Sequence, residues 1–576
     1  VTRFRVWAPL ADRVDLAIHG QKLAMQAAPG GWFASEDVDA APGDRYGFCL
    51  DGGEALPDPR SPSQPDGVHG LSAVVDHHGF AWSDAAWRGA PLGAAVVYEL
   101  HTGTFTAEGT FDAAIARLPD LVDLGVTAVE LMPVAEFPGE RGWGYDGVGL
   151  YAPHHAYGGP GGLRRLVDAC HAHGLAVVLD VVYNHLGPDG NHLGRFGPYF
   201  TDRHRTPWGD ALNLDGPDSD EVRRFIIDNA RTWLRDYHLD GLRLDAVHAI
   251  VDTSAVHLLE ELAAEVHALQ AELGRSLWAI AESDLNDPRL VRPPEAGGHG
   301  LDAQWSDDFH HALHAALTGE DRGYYTDFGG LQPVARTLRR VFAVDGSYSR
   351  WRRRRHGRAA TGLPGDRFLG YLQNHDQVGN RAAGERSAAL MNAGRLRIGA
   401  ALVLCAPFVP MLFMGEEWGA STPFQYFTDH RDSGLARAVS HGRRSEFAAF
   451  GWRPEDVPDP QDEATFARSR LDWTERDREP HRGLLDWHRR LIALRRSHPA
   501  LGDPRRGQVD AHADDERGVL VLRRGVVTVA CHVGAGTVDV DVGPHRVLLA
   551  SPEGMHSSGG TLALPPDSVA VLEALD

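Results

Sequence analysis

The stretch Gly241-Leu242-Arg243-Leu244-Asp245-Ala246-Val247-His248 decides how this chain is read. A short run suited to a buried strand ends in a carboxylate. The pattern recurs where Trp278-Ala279-Ile280-Ala281 meets Glu282, and where Phe368 to Leu372 runs into Gln373-Asn374-His375-Asp376-Gln377. A carboxylate just past a buried strand is where a (β/α)8 barrel places its catalytic groups. Strand alternation points Arg243 and Asp245 the same way, and an arginine that near keeps a carboxylate ionised. The apolar lead-in to Glu282 partly desolvates its carboxyl and favours the protonated acid. Five polar residues around Asp376 are costly unless they face a wet cavity. Hydrolysis of a glycosidic bond with retention needs two carboxylates on opposite faces of one sugar, about 5 Å apart. A third can hold the sugar while charge develops. Asp245, Glu282 and Asp376 are therefore the candidate catalytic acids. Taken singly, each has a plainer reading, as an ion pair, a strand end or a polar turn.

Outward from these motifs, strands and helices alternate from about 93 to 500, which signals a parallel sheet. The pattern predicts eight strands, at 96–100, 126–131, 176–182, 241–244, 277–281, 301–305, 368–373 and 409–413. The third is almost unbroken apolar sequence, as a strand buried on both faces should be. Helices are predicted over 111–124, 161–173, 221–237 and 255–273, with 484–498 closing the barrel. Short alternating runs separated by Pro/Gly turns fill the first 84 residues and return after Pro504. The expected architecture is α/β: a (β/α)8 TIM barrel over 85–500, an N-terminal β-sandwich over 1–84 and a C-terminal β-sandwich over 501–576.

The 576 residues are 43% hydrophobic and 24% charged, with a net charge of −22. That charge disfavours nucleic acid, whose binding rests on phosphate neutralisation, and suits a neutral ligand. With no apolar run of membrane-spanning length, no membrane helix is expected. The polar-spaced opening predicts no secretory signal. Cys49, Cys170, Cys405 and Cys531 lie far apart and form no CxxC pair, from which neither a zinc site nor a thioredoxin-like motif is expected. Reduced thiols in a cytoplasmic protein are expected. Gly158-Gly159-Pro160-Gly161-Gly162 lacks the Lys-Ser/Thr of a phosphate loop and reads as a turn. The arginines between Arg350 and Arg358 read as a solvated or salt-bridged loop.

Two further stretches carry sugar-binding chemistry. Asp180 to His185 ends the third strand, where Asp180 would brace the barrel mouth and His185 could reach a sugar. Trp143-Gly144-Tyr145-Asp146-Gly147 offers aromatic faces, which stack on sugar rings, and a carboxylate, which takes pairs of hydroxyls.

DVVYNH (180–185), GLRLDAVH (241–248), AESD (281–284) and QNHDQ (373–377), in that order, resemble the four barrel motifs of the α-amylase superfamily of glycoside hydrolases. The resemblance implies Asp245 as nucleophile, Glu282 as general acid/base and Asp376 as transition-state stabiliser. It places Arg243, His185, His248 and His375 around the sugar beside the scissile bond, with Tyr145 and Asp146 holding and stacking on that sugar. The opening FRVWAPLADRVDL resembles the N-terminal sandwich of branching enzymes, debranching enzymes and trehalose-releasing hydrolases. The stretches 98–111, 138–160, 200–216 and 412–430 look most like the last group. That implies cleavage of the α-1,4 bond next to the terminal trehalose of maltooligosyltrehalose, without a cofactor, and with no nucleic-acid or membrane partner. A synthase would supply the substrate, and no stable complex with it is needed. Trp208, Gln377 and Glu417 are the candidates for contacts beyond the core sugar site. Many members bind calcium partly through the residue matching Asn184, but no acid-rich loop completes such a site here, so no required metal is expected. A glycogen branching enzyme or an α-1,6 debranching enzyme is the alternative. A catalytically dead sugar-binding barrel is disfavoured because all three acids are in place.

Overall fold

The computed structural model describes residues 1–448 and 453–575. Eight parallel strands close into one barrel: β1 (Val97–Leu100), β2 (Ala128–Leu131), β3 (Ala176–Val181), β4 (Gly241–Leu244), β5 (Trp278–Ala281), β6 (Ala303–Trp305), β7 (Phe368–Gly370) and β8 (Val409–Phe413). They follow one another around the barrel in chain order, and β8 pairs back to β1. Each expected strand is present, including the short sixth.

One helix differs from expectation. The pattern over 111–124 forms two helices, Phe111–Ile115 and Leu118–Leu124. Pro119 is the reason. It lacks an N–H, and its ring would strike the carbonyl of Ile115 in a continuous helix. In the first turn of the second helix that missing donor costs nothing.

The barrel is packed below and polar above. Ala128, Val178, Ile280, Ala303, Leu369 and Met411 belong to an apolar cluster of their own inside the ring, as interior positions of a filled barrel should. One period-two step further along, the same faces carry Glu130 on β2, Asp180 on β3 and Arg243 on β4. The site therefore lies at the carboxyl ends of the strands.

Among the outer helices are α1 (Gly159–Ala172), α2 (Ser219–Asp236), α3 (Leu258–Leu273), α4 (Ala393–Cys405) and α5 (His481–Ser497). On α2, Phe225, Ile226, Trp233 and Leu234 form a buried stripe. The C-terminal end of α4 is closed by two arginines from later in the chain. Arg495 of α5 donates to the carbonyls of Leu404 and Ala406, both at 2.9 Å, and to Phe408 at 2.6 Å. Arg524 donates to the carbonyls of Cys405 at 3.2 Å and Ala406 at 2.9 Å. These carbonyls would otherwise lack partners at a helix end, and the cations sit at its negative pole.

The N-terminal region forms two antiparallel sheets, one ordered Arg5–Trp7, Trp32–Ala34, Gln26–Ala28 and the other centred on Val14–Ile18 and Arg45–Leu50. Its core is continuous with that of the barrel. Trp7 packs edge-on against Tyr199 at 5.2 Å, and Trp32 Nε1 donates to Glu221 Oε1 at 3.0 Å. After the barrel, a five-stranded antiparallel sheet faces a three-stranded one across Val521, Ala530, Leu562 and Leu572. No helix among the described residues is long and apolar enough to cross a membrane.

Candidate active site

Asp245 immediately follows β4. Its Oδ1 accepts from Arg243 Nη1 at 2.9 Å and its Oδ2 from Asn184 Nδ2 at 2.7 Å. Two donors thus fix the carboxylate's orientation. The next residue, Ala246, sits in the left-handed region (φ 39°, ψ 50°), a conformation that costs a non-glycine residue about 1–3 kcal/mol. It turns the Ala246 N–H onto Glu282 Oε2 at 2.6 Å. Glu282 Oε2 also stands 3.7 Å from Arg243 Nη2. Burial pushes the Glu282 carboxyl above its usual range against the pull of Arg243, and the charges of Asp245 and Asp376 add to the rise. That environment favours a carboxyl carrying its proton.

Arg243 is fully buried, and its Nη1 also reaches both oxygens of Asp180, at 2.9 and 2.8 Å. Asp180 Oδ2 accepts in turn from the Tyr145 hydroxyl at 2.5 Å. Tyr145 stacks on His375, with Nε2 2.7 Å from the hydroxyl. His375 Nδ1 lies 2.5 Å from Glu99 Oε1 on β1. Glu99 carries His375 up to about 9 despite the burial that opposes it. A chain of contacts thus runs beneath the site from β1 to β4. The loop holding Tyr145 folds back because Gly144 has φ +97° and a Cβ there would stand 2.2 Å from the Pro133 carbonyl oxygen.

Above this layer lies a cavity of about 530 Å³, lined by Asp245, Glu282 and Asp376 together with Tyr145, Asp146, His185, His248 and Trp208. Asp376 is the open member of the acid trio, with its side chain 44% exposed. His185 is oriented by Asn184 Oδ1 and by the Tyr145 carbonyl at 3.0 Å, and stacks on Trp208 with ring centroids 4.7 Å apart. Trp208 is 51% exposed, a large aromatic face turned outward at the rim.

Four sequence-nominated residues are placed elsewhere. Glu417 is buried, and its Oε1 accepts from the Tyr98 hydroxyl at 3.0 Å. The short turn Glu416–Trp418 swings it into the fold, so the expected substrate contact fails. Gln377 is spent on its own helix, where its Oε1 accepts from the Asn374 N–H at 3.2 Å to complete a capping box. Arg243 and His375 are buried beneath the cavity and touch its lining side chains instead of its space.

The cavity has walls that were not among the nominated residues. Asp284 lines it and is paired with Arg352 Nη2 at 2.9 Å, so one member of the basic loop is salt-bridged against the site. Tyr426, Asn380 and Arg443 line it too. Glu99 had a legible signal, a lone acid in an apolar strand. Tyr426 and Arg443 had none.

A closed parallel barrel with an arginine-tied pair of acids and a third acid at its mouth defines the α-amylase class of glycoside hydrolase, and residues 63–195 match the alpha-amylase catalytic domain family. The chain belongs, within that class, to the malto-oligosyltrehalose trehalohydrolase family: it is 55% identical over 573 residues to the malto-oligosyltrehalose trehalohydrolase of Arthrobacter ramosus, covering 98% of this chain and 99% of that one. A solved structure described as a candidate alpha amylase, from Salmonella typhimurium, superposes with a TM-score of 0.91 at 42% identity, covering 99% of this chain and 97% of the other. Likeness to a 1,4-alpha-glucan branching enzyme of Bordetella parapertussis is lower, 29% over 82% of this chain and 69% of that one.

Proposed function

We propose that this chain hydrolyses the α-1,4 bond joining a terminal trehalose to the maltooligosyl chain of maltooligosyltrehalose, with retention at the anomeric carbon. One observation carries the reaction type. Asp245 and Glu282 approach the two tips of one guanidinium, at 2.9 and 3.7 Å. Two carboxyls tied to one guanidinium beside one cavity are compatible with the roughly 5–5.5 Å spacing of retaining glycosidases.

Glu282 donates its proton to the glycosidic oxygen as Asp245 Oδ attacks the anomeric carbon, so trehalose leaves and a covalent glycosyl-enzyme forms. Glu282, now a carboxylate, takes a proton from water, which attacks the same carbon and frees Asp245. Asp376 accepts hydroxyl hydrogen bonds as positive charge develops on the ring. Tyr145, Asp146, His185 and His248 hold that sugar from the cavity wall, and Trp208 supplies an apolar face beyond it. The setting inferred is the cytoplasm, consistent with four free, buried cysteines.

The test is a product assay on maltotriosyltrehalose, with maltopentaose in parallel. Trehalose plus maltotriose from the first, with little cleavage of the second, is the expected result. Comparable cleavage of both would indicate a general amylase. A change in glucan branching without trehalose release would favour the branching alternative.

The raised Glu282 carboxyl sets a second expectation. The acid must be protonated, so kcat/KM falls as pH rises through its pKa, and the upward shift extends activity toward higher pH. Asp376→Asn removes a negative charge that contributes to the shift. The basic limb of the residual kcat/KM profile should then move to lower pH. A limb that stays put or moves upward would contradict the assignment of Glu282 as the acid.

A further inference from the structure

We propose that Glu136, His154 and His155 form a site for one divalent transition-metal ion of the zinc class, at the base of the loop that carries Tyr145 and Asp146. Ala135–Glu136 pairs with Gly149–Pro153, so Glu136 stands where the loop departs and the two histidines just past where it returns. One ligand atom from each of the three residues lies within 4.8 Å of the other two. Glu136 Oε1 is 2.6 Å from His155 Nδ1 and 3.2 Å from His154 Nδ1.

His154 is the independent sign of a ligand. Its side chain is fully buried, as is that of Glu136. Neither ring nitrogen of His154 has an aligned hydrogen-bond partner, although Nδ1 lies 3.2 Å from the Glu136 carboxylate. Buried polar groups are nearly always paired. A bond from Nδ1 to a metal would supply the missing interaction.

The distances fit the ion. Zinc bonds of about 2.0–2.1 Å in a tetrahedral site put ligand atoms about 3.3 Å apart. The His154 approach already matches. The His155 approach must open by about 0.7 Å to reach that tetrahedral spacing, and His155 is the partly exposed member, free to rotate its ring. Solvent on that side supplies the fourth ligand. Outer support is also in place: Glu136 Oε2 accepts from the His155 N–H at 2.9 Å, and His155 Nε2 lies 3.1 Å from Glu140 Oε1. Ligating carboxylates and imidazoles characteristically carry such partners. Two imidazoles argue against calcium and magnesium, which take oxygen ligands.

The ion would be structural. It would tie the two ends of the loop over 137–148 and take no part in bond cleavage, so this inference stands apart from the substrate assignment. It also departs from the expectation of a chain without metal, because the ligands are histidines in a loop with no acid-rich signature.

Full-length, tag-free protein stripped by chelator and dialysed against zinc should retain one equivalent more than the His154→Asn/His155→Asn double variant. Glu136→Gln should lose the same equivalent, while His267→Asn, at a surface histidine, keeps it. Zinc should raise the melting temperature of the wild type and leave that of the double variant unchanged. Equal retention by wild type and double variant, or no thermal shift in the wild type, would overturn the proposal. If the double variant does not fold, the single, partly exposed His155→Ala decides by the same two readings.

Discussion

Replacing Asp245 by Asn should lower kcat on maltotriosyltrehalose by about 10⁴-fold, roughly 5 kcal/mol of lost transition-state stabilisation. The amide is nearly isosteric but cannot form the covalent glycosyl-enzyme. It also fits its pocket poorly, because both Asp245 oxygens accept from donors, Arg243 on one side and Asn184 on the other. Whichever way the amide is turned, its NH2 faces one of them. Folding should survive, since the neighbouring charges remain paired through Asp180. Single-turnover kinetics and thermal unfolding separate the two effects. A more direct check is Asp245→Gly with added azide. The anion should enter from the vacated face and give a glycosyl azide of inverted configuration. Activity of Asp245→Asn within tenfold of wild type would remove Asp245 from the nucleophile's role.

Arg243→Met should damage stability as much as chemistry. Its guanidinium contacts Asp180, Asp245 and Glu282 at 2.8, 2.9 and 3.7 Å in a fully buried position. Removing one partner of a buried charge network costs about 3–5 kcal/mol, because the other charges are left without compensation. Denaturant unfolding should show that loss. Any residual activity should have its basic limb displaced to higher pH, since Glu282 would lose the cation that pulls its pKa down. Arg243→Lys should recover part of the stability, but not the simultaneous reach to two carboxyls that the planar fork provides. Stability of Arg243→Met within about 0.5 kcal/mol of wild type, the range of an ordinary surface change, would show that the network is not needed for folding.

The barrel and its acids were legible because both are written locally. A strand buried on two faces must be apolar, so Ala176–Val181 and Trp278–Ala281 stand out, and the polar residue that ends each run falls at the mouth. The arginine and aspartate of Arg243-Leu244-Asp245 meet because strand side chains repeat every second residue. What was illegible depends on how distant segments turn. Glu417 comes a few residues after an apolar strand, near where Glu282 stands relative to its own, yet a short turn buries it against Tyr98. Gln377 sits in a motif of site residues, but capping its own helix claims its side chain. Tyr426 and Arg443 reach the cavity from the chain beyond β8, and nothing in their neighbours marks the approach. The single helix predicted over 111–124 failed for a local reason, Pro119, that periodicity alone does not weigh.

The two arginines that close α4 bear on where this chain can be cut. Composition changes near residue 500, and a truncation there looks like the removal of an appendage. Arg524 lies beyond that point, in the C-terminal sheet, and its guanidinium is bonded to the carbonyls of Cys405, Ala406 and Leu501. Deleting the last strands would remove a buried donor from the carbonyls at this helix end; Ala406 would keep Arg495, but Cys405 would lose the guanidinium, at about 1–3 kcal/mol for a carbonyl left unsatisfied. The change of composition is therefore not a seam. Grafting a foreign C-terminal module onto this barrel would require that module to carry its own buried cation to the same helix end.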